Sequence, residues 1–180
     1  MTSKVLCILA DGIEEMELIA PVDILRRVGV EVVMATPEGS GEVRGKMGVR
    51  VGADAGLSQL NINDFDALLL PGGPAVMELR EKGEVASLAR TFGDAGKVVA
   101  AICAAPLLLQ DAGLLEGKRY TSHFSTHGEL KAAEPDERVI VDGKIVTSRG
   151  AGTAIEFGLA LASLLAGDSV ARRVAAEIMA

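Results

Sequence analysis

Short, mostly apolar runs that alternate with helical patterns constrain the fold of this chain more than any other feature. Four such runs occupy residues 5–10, 30–35, 67–70 and 98–102. A strand that is apolar on both faces must be covered on both faces, and the crossover helices of a parallel sheet supply that cover. The 180 residues fit one domain of ordinary size. The sequence therefore predicts a single α/β domain over residues 1–180, with a doubly wound, mostly parallel sheet sandwiched by helices.

Turn residues and helical spacing predict the remaining elements. In chain order they are a helix over about 14–28 that ends at Gly29, a hairpin over 40–52, a helix over 104–112, a strand over 119–122, a hairpin over 139–147 that turns at Asp142-Gly143, and helices that begin near Thr153 and Ser169. The spacing of Thr153 and Glu156 matches a capping box, in which each side chain bonds the other residue's backbone amide.

Composition excludes several classes of protein. The net charge of −7, the absence of Trp and the single Tyr argue against a nucleic-acid binder, which needs basic and aromatic surfaces. Only two cysteines are present, so a disulfide scaffold and a Cys-rich zinc site are excluded. No run approaches the roughly 20 apolar residues of a membrane span, and no signal cleavage pattern follows the first apolar run. We therefore expect a cytoplasmic protein without a nucleic-acid or membrane partner.

The loops at the carboxyl ends of the predicted strands are the places to look for chemistry, because open α/β sheets bind ligands there. Cys103 lies at such a strand-to-helix junction among small residues, where a tight turn would expose its side chain like the nucleophile elbow of hydrolases. The positive end of the following helix would lower the pKa of its thiol. The alternative is a buried structural cysteine, which is the expected state of Cys7 within its aliphatic strand.

Three further features could assist a reactive cysteine. The turn at Gly72-Gly73 could direct backbone amides at a substrate oxygen, or it could be a plain turn. His123 and His127 are the only histidines, and either could be a general base or an exposed loop residue. The pair lacks a third metal ligand, and no nucleotide-binding glycine motif is present, so we predict no metal and no cofactor.

Three glutamates open the first helix at Glu14, Glu15 and Glu17, where carboxylates suit the helix dipole. The dipole alone explains at least two of them. One carboxyl turned into an apolar pocket would instead have a raised pKa, and it could donate its proton beside a cysteine sulfur.

The ordered set of motifs resembles the ThiJ/PfpI superfamily, in the branch of the parkinsonism-associated deglycase and redox sensor. The matching stretches occupy residues 11–17, 21–27, 70–73, 100–106 and 147–153, so the resemblance covers nearly the whole chain. It implies a flavodoxin-like sandwich and a homodimer that uses the first helix.

The resemblance also implies roles for individual residues. Cys103 matches the nucleophile, Glu17 the protonated glutamate that hydrogen-bonds it, and His123 the nearby histidine. Anion-binding backbone groups match Gly72, Gly73 and the amide of Ala104. Met47 falls where some members carry a pocket arginine, which leaves Arg27 as a candidate replacement.

Two functions follow from this resemblance. The first is a glutathione-independent enzyme in which Cys103 adds to a small α-oxoaldehyde such as methylglyoxal, or to its adducts on glycated proteins. Glu17 and His123 would then shuttle protons to give a hydroxy acid such as lactate. The alternative is a redox-sensing chaperone whose Cys103 oxidises to a sulfinate that Glu17 hydrogen-bonds. A cysteine peptidase is disfavoured, because Ala104 stands where the peptidase-like members carry a histidine.

Overall fold

The computed structural model describes residues 2–39 and 41–180. Its strands are β1 (Lys4–Ile8), β2 (Glu31–Thr36), β3 (Glu42–Arg44), β4 (Arg50–Gly52), β5 (Ala55–Gly56), β6 (Ala67–Leu70), β7 (Val98–Ile102), β8 (Val139–Asp142) and β9 (Ile145–Ser148). Seven of them form one sheet in the order β5-β2-β1-β6-β7-β9-β8. Every pairing in this sheet is parallel except that of β8 with β9. The predicted doubly wound, mostly parallel sheet is confirmed.

Helices cover both faces of the sheet. They are α1 (Glu15–Arg27), α2 (Ala75–Lys82), α3 (Glu84–Asp94), α4 (Pro106–Asp111), α5 (Ala154–Ala166) and α6 (Asp168–Glu177). Helices α1, α5 and α6 pack with one face, and α2, α3 and α4 pack with the other. Successive residues of β1 alternate between the two cores, so Val5 and Cys7 enter one while Leu6 and Ile8 enter the other. Two separate cores explain why the strand runs are almost entirely apolar, with Glu31 at the exposed start of β2 as the exception.

The direction of strand addition reverses at β1, which has β2 on one side and β6 on the other. The carboxyl ends of β1, β6 and β7 therefore meet at a switch point, where open α/β sheets bind ligands. The predicted hairpin also lies near this edge as β3 and β4, although Ser40 falls outside the described residues. Its tip is joined to the loop after β1, because the Lys46 amide donates to the Ile13 carbonyl at 2.8 Å.

Two local predictions are wrong. Residues 119–122 form no strand: the Thr121 amide donates to the Thr147 side-chain hydroxyl at 3.0 Å, where a strand would need the backbone carbonyl. Thr153 makes no capping bond, because its hydroxyl contacts the Ser148 hydroxyl at 2.5 Å and donates to the Gly150 carbonyl at 2.8 Å. Glu156 of the expected box pairs instead with Arg138.

Within the described ranges, the helices are all too short or too polar to cross a membrane.

Candidate active site

Cys103 follows β7 directly and has a backbone conformation that exposes it to the switch point. Its φ of +66° lies in the left-handed region, which costs a non-glycine residue about 1–3 kcal/mol and marks functional turns. Two backbone bonds hold it there: its amide donates to the Ser148 carbonyl, and its carbonyl accepts from the His123 amide, both at 2.8 Å. The tight turn expected at this junction is confirmed. Cys7 lies fully buried in β1, as predicted.

Glu17 reaches the same point from the first turn of α1. Its side chain is only 1% exposed, and its Oε2 accepts the Gly72 amide at 2.9 Å. The Cys103 thiol lies close enough to this carboxyl group to alter its pKa. A Cβ atom at Gly72 would lie 2.6 Å from the Glu17 Oε2 and 2.7 Å from the Cys103 Cβ. Glycine is therefore required at 72 to let the acid and the thiol approach each other.

Burial governs the ionisation of this pair. It raises the pKa of Glu17 to about 7, against the opposing hydrogen bonds from Cys103 and Gly72. Burial, the Glu17 charge and the Glu17 hydrogen bond raise the pKa of Cys103 to about 12, although the amides of Gly73 and Ala104 lower it. The expected depression of the thiol pKa is therefore wrong, because burial raises this pKa more than the backbone amides lower it. Two adjacent buried anions are unfavourable, so a thiolate at Cys103 requires the proton to be on Glu17.

The backbone of His123 contacts Cys103, whereas its ring contacts other residues. The ring Nδ1 is 2.8 Å from the Ser125 hydroxyl, and the ring packs on Phe124 with centroids 4.1 Å apart. Among the hydrogen bonds of the described residues, none joins this ring to Cys103 or Glu17. Burial, followed by the charges of Lys46 and His127, lowers the pKa of His123, which favours the neutral imidazole. A proton-transfer role would thus require the ring to turn or act through water.

Glu15 has a structural role that the sequence did not reveal. It is 8% exposed, and its Oε1 accepts the amides of Met47 at 2.8 Å and Val49 at 3.3 Å, which ties α1 to the tip of the hairpin. Burial raises its pKa, but the backbone amides outweigh burial, so the pKa is lower than usual. Glu15 therefore holds the hairpin in place as a carboxylate.

Lys46 brings a positive charge to the site that could not be anticipated from the sequence motifs. Met47, at the position of the family's pocket arginine, is 76% exposed. Arg27 pairs with Asp23 at 2.7 Å and lies ten residues after Glu17, or about 15 Å along the helix. Lys46 Nζ is instead 3.9 Å from Glu14 Oε2. Burial is the main influence on the pKa of Glu17 and His123, and the Lys46 charge lowers both values.

Residues 2–39 and 41–180 contain no cluster of three or more His, Cys, Asp or Glu that could hold a metal ion. His123 and His127 thus have no third acidic, cysteine or histidine ligand in that part of the chain.

Comparison with known proteins gives one consistent result. The sequence model of the DJ-1/PfpI family matches residues 3–164. Protein dj-1beta of Drosophila melanogaster is 38% identical, over 99% of this chain and 98% of that protein. Deglycase PfpI of Pyrococcus furiosus is 38% identical, over 83% and 91% respectively.

Solved structures agree with the sequence comparison. The crystal structure of Drosophila melanogaster DJ-1beta superposes with a TM-score of 0.92 over 99% of this chain and 98% of its own. Oxidized Toxoplasma gondii DJ-1, at 36% identity, superposes with a TM-score of 0.91 over the same shares. The flavodoxin-like architecture expected from the motifs is therefore confirmed.

Proposed function

Because the chain belongs to the DJ-1/PfpI family, we propose that it is a cysteine-dependent enzyme acting on small α-oxoaldehydes such as methylglyoxal, or on their adducts with proteins. The observation that carries this proposal is the left-handed Cys103 beside a buried Glu17 whose pKa is raised to about 7. The deglycase name of the Pyrococcus furiosus relative supports a carbonyl substrate. The two free cysteines are consistent with a reducing compartment, and we place the activity in the cytoplasm.

In the first step, the Cys103 proton moves to Glu17 and the sulfur adds to the aldehyde carbon. The C–S bond forms while the carbonyl π bond breaks, and the oxygen takes a proton to give a hemithioacetal. The amides of Gly73 and Ala104, which lower the pKa of Cys103, are suited to stabilise the negative oxygen. A protonated Glu17 is the nearest acid.

In the second step, the aldehyde carbon loses its proton to Glu17 or His123, and the neighbouring ketone carbon gains one. The first carbon is oxidised to a thioester while the second is reduced to an alcohol, so no external oxidant is needed. Water then releases the hydroxy acid and restores the thiol. The net reaction adds one water to methylglyoxal to give lactate.

The partial exposure of Cys103 beside an acid supports a second role. A peroxide could oxidise its thiolate to a sulfenate and, with a second equivalent, to a sulfinate, with each peroxide reduced to water or an alcohol. Protonated Glu17 would donate to a sulfinate oxygen. We propose this redox-sensing chaperone function as the alternative, in which the protein is consumed rather than turned over.

We also propose that the protein is a homodimer. Four exposed apolar side chains form an apolar patch around α1: Met16, Ile19, Val49 and Ile155. Each is 45–57% exposed. The patch borders a groove of about 770 Å³, and it lies on the helix that the family resemblance assigns to dimerisation.

Lactate formation from methylglyoxal without glutathione tests the leading proposal. Wild-type protein should turn over repeatedly. Cys103→Ala should lose at least about 100-fold in kcat/KM, and Glu17→Gln should lose most turnover, since it keeps a polar side chain but no exchangeable acid. Cys7→Ala serves as the matched control and should retain turnover. Stoichiometric peroxide oxidation of Cys103 without lactate would favour the redox role, whereas full activity in Cys103→Ala would refute both.

A further inference from the structure

A second cavity of about 400 Å³ opens on the side of the active site that His123 lines. This volume falls within the roughly 300–1,000 Å³ typical of small-molecule pockets. Four basic residues line it, namely His123, His127, Arg138 and Arg149, and its described lining residues include no acid. We call it the basic cavity.

The two arginines of the basic cavity differ in their pairing. Arg138 donates from Nε to Glu156 Oε2 at 2.7 Å and from Nη2 to the Gly152 carbonyl at 3.1 Å. Its charge is therefore compensated by a carboxylate. Arg149 contacts only the backbone carbonyls of residues 135 and 136, at 3.5 and 3.4 Å and through Nη1 alone.

Arg149 is the less compensated charge of the basic cavity. The pKa of Glu156 is lowered mainly by its hydrogen bond with Arg138 and also by the charge of Arg149, so the two arginines share one carboxylate. Arg149 takes part in no ion pair within residues 2–39 and 41–180, and within those residues its Nε and Nη2 donate no hydrogen bond. A planar guanidinium binds a carboxylate through two parallel hydrogen bonds, so these donors are available to a ligand.

The backbone places Arg149 next to the residue that holds the Cys103 amide. It follows Ser148, whose carbonyl accepts the Cys103 amide at 2.8 Å. Gly150 comes next, and a Cβ there would lie 3.6 Å from the His123 ring. The reacting cysteine, the His123 ring and the basic cavity therefore follow one another along the same edge of the sheet.

We infer that the basic cavity binds a carboxylate carried by the substrate, and that the preferred substrates are α-oxoaldehydes with an anionic tail. This inference rests on the proposed function and names its substrate class. The aldehyde would react at Cys103 while the tail passes His123 to reach Arg149. A neutral substrate such as methylglyoxal leaves this subsite without a partner.

A matched pair of substrates tests the inference. 4,5-Dioxopentanoate carries a carboxylate two methylene groups beyond its oxo carbon, whereas 2-oxopentanal has the same chain length with a methyl end. Hydration and internal rearrangement of the first gives 2-hydroxyglutarate, and of the second 2-hydroxypentanoate. Hydrogen bonds to charged groups contribute about 1.5–3 kcal/mol, so wild-type protein should prefer the anionic substrate at least about 10-fold in kcat/KM.

Variants assign this preference to one side chain. Arg149→Met should reduce the ratio of the two kcat/KM values to about 1, mainly through KM, and Arg149→Lys should restore part of it. Arg90→Met is the control, because Arg90 is an exposed arginine of α3 that pairs with Asp94. It should leave the ratio unchanged. Equal wild-type rates on both substrates would overturn the inference and leave the proposed function standing.

Binding without turnover separates the two proposals. In calorimetric titrations, wild-type protein should bind 2-hydroxyglutarate at least about 10-fold more tightly than 2-hydroxypentanoate, and Arg149→Met should remove the difference. If the protein converts neither aldehyde, the proposed function fails and this titration still decides the anion subsite. Equal affinity of wild-type protein and Arg149→Met for 2-hydroxyglutarate would overturn it.

Discussion

Glu17 should make the stability of the protein fall as the pH rises from about 5 to 8. Its carboxyl is 1% exposed, and burial raises its pKa from 4.5 to about 7. A raised acid pKa means that the charged form is less stable in the folded protein than in the unfolded chain. The resulting loss of folding stability is absent at pH values below the pKa of Glu17 in the unfolded chain. It is complete at pH values above the pKa of Glu17 in the folded protein. At 1.36 kcal/mol per unit, it approaches about 3 kcal/mol at pH 8.

Glu17→Gln removes this ionisation while its amide oxygen can still accept the Gly72 amide. Linkage gives a cost of about 1 kcal/mol for wild-type Glu17 at pH 5 and about 3 kcal/mol at pH 8. The free energy of unfolding of the variant, relative to wild type, should therefore increase by about 2 kcal/mol between these pH values. Packing changes caused by the amide do not depend on pH, so they cancel in this comparison.

Urea unfolding followed by circular dichroism, at one protein concentration and with a reductant, measures the effect. Fluorescence is unsuitable because the chain has no Trp and one Tyr. Glu15→Gln is the matched control with the opposite sign. The lowered pKa of Glu15 adds stability above its unfolded pKa, which is lost as the pH falls through the folded value, so this variant should be less stable than wild type at pH 8. A Glu17→Gln difference that is equal at both pH values, or larger at pH 5, would refute the reasoning.

The cysteines and the apolar patch give two more predictions. Limiting iodoacetamide at neutral pH should alkylate Cys103 before Cys7, because Cys7 is fully buried and burial raises its pKa far above the ordinary value; a mass spectrum with Cys7 labelled first would contradict this. Light scattering at micromolar concentration should show a dimer, and Met16→Glu should give a monomer, because a charge in an apolar interface is unfavourable; a monomeric wild type would rule out the dimer.

The sheet could be predicted because its signal is local. Each apolar run is buried on both faces, so no partner needs to be known before a strand can be assigned. The strand prediction for residues 119–122 was wrong because an extended segment is a strand only when a neighbouring backbone accepts its amides. Here the Thr147 hydroxyl takes the place of that backbone at Thr121. The Thr153 hydroxyl is likewise taken by Ser148 and Gly150, which no sequence spacing reveals.

The residues of the candidate site were predictable, but their electrostatics were not. Sheet-edge reasoning and motif order together selected Cys103, Glu17 and Gly72, and the structure brings these three together. The direction of the thiol pKa depends on burial depth and on a charge 86 positions away in the sequence at Glu17. The effect of a helix end depends only on the sequence neighbours of Cys103, so it predicts the wrong sign for the shift of the thiol pKa.

The sequence alone does not indicate which arginine of the basic cavity has a carboxylate partner. Arg138 follows Asp136 and Glu137 in the sequence, whereas Arg149 lies between Ser148 and Gly150, yet the carboxylate that pairs with Arg138 is neither of these neighbours. The fold lets Arg138 hydrogen-bond Glu156 of α5, whereas Arg149 donates to carbonyl oxygens within the described residues and acts on Glu156 through its charge alone. Because Arg138 is paired directly and Arg149 is not, the same residue type has a structural role at 138 and is available for a ligand at 149. Substrate preference would then be set by the position of one carboxylate on a helix, away from the reacting sulfur.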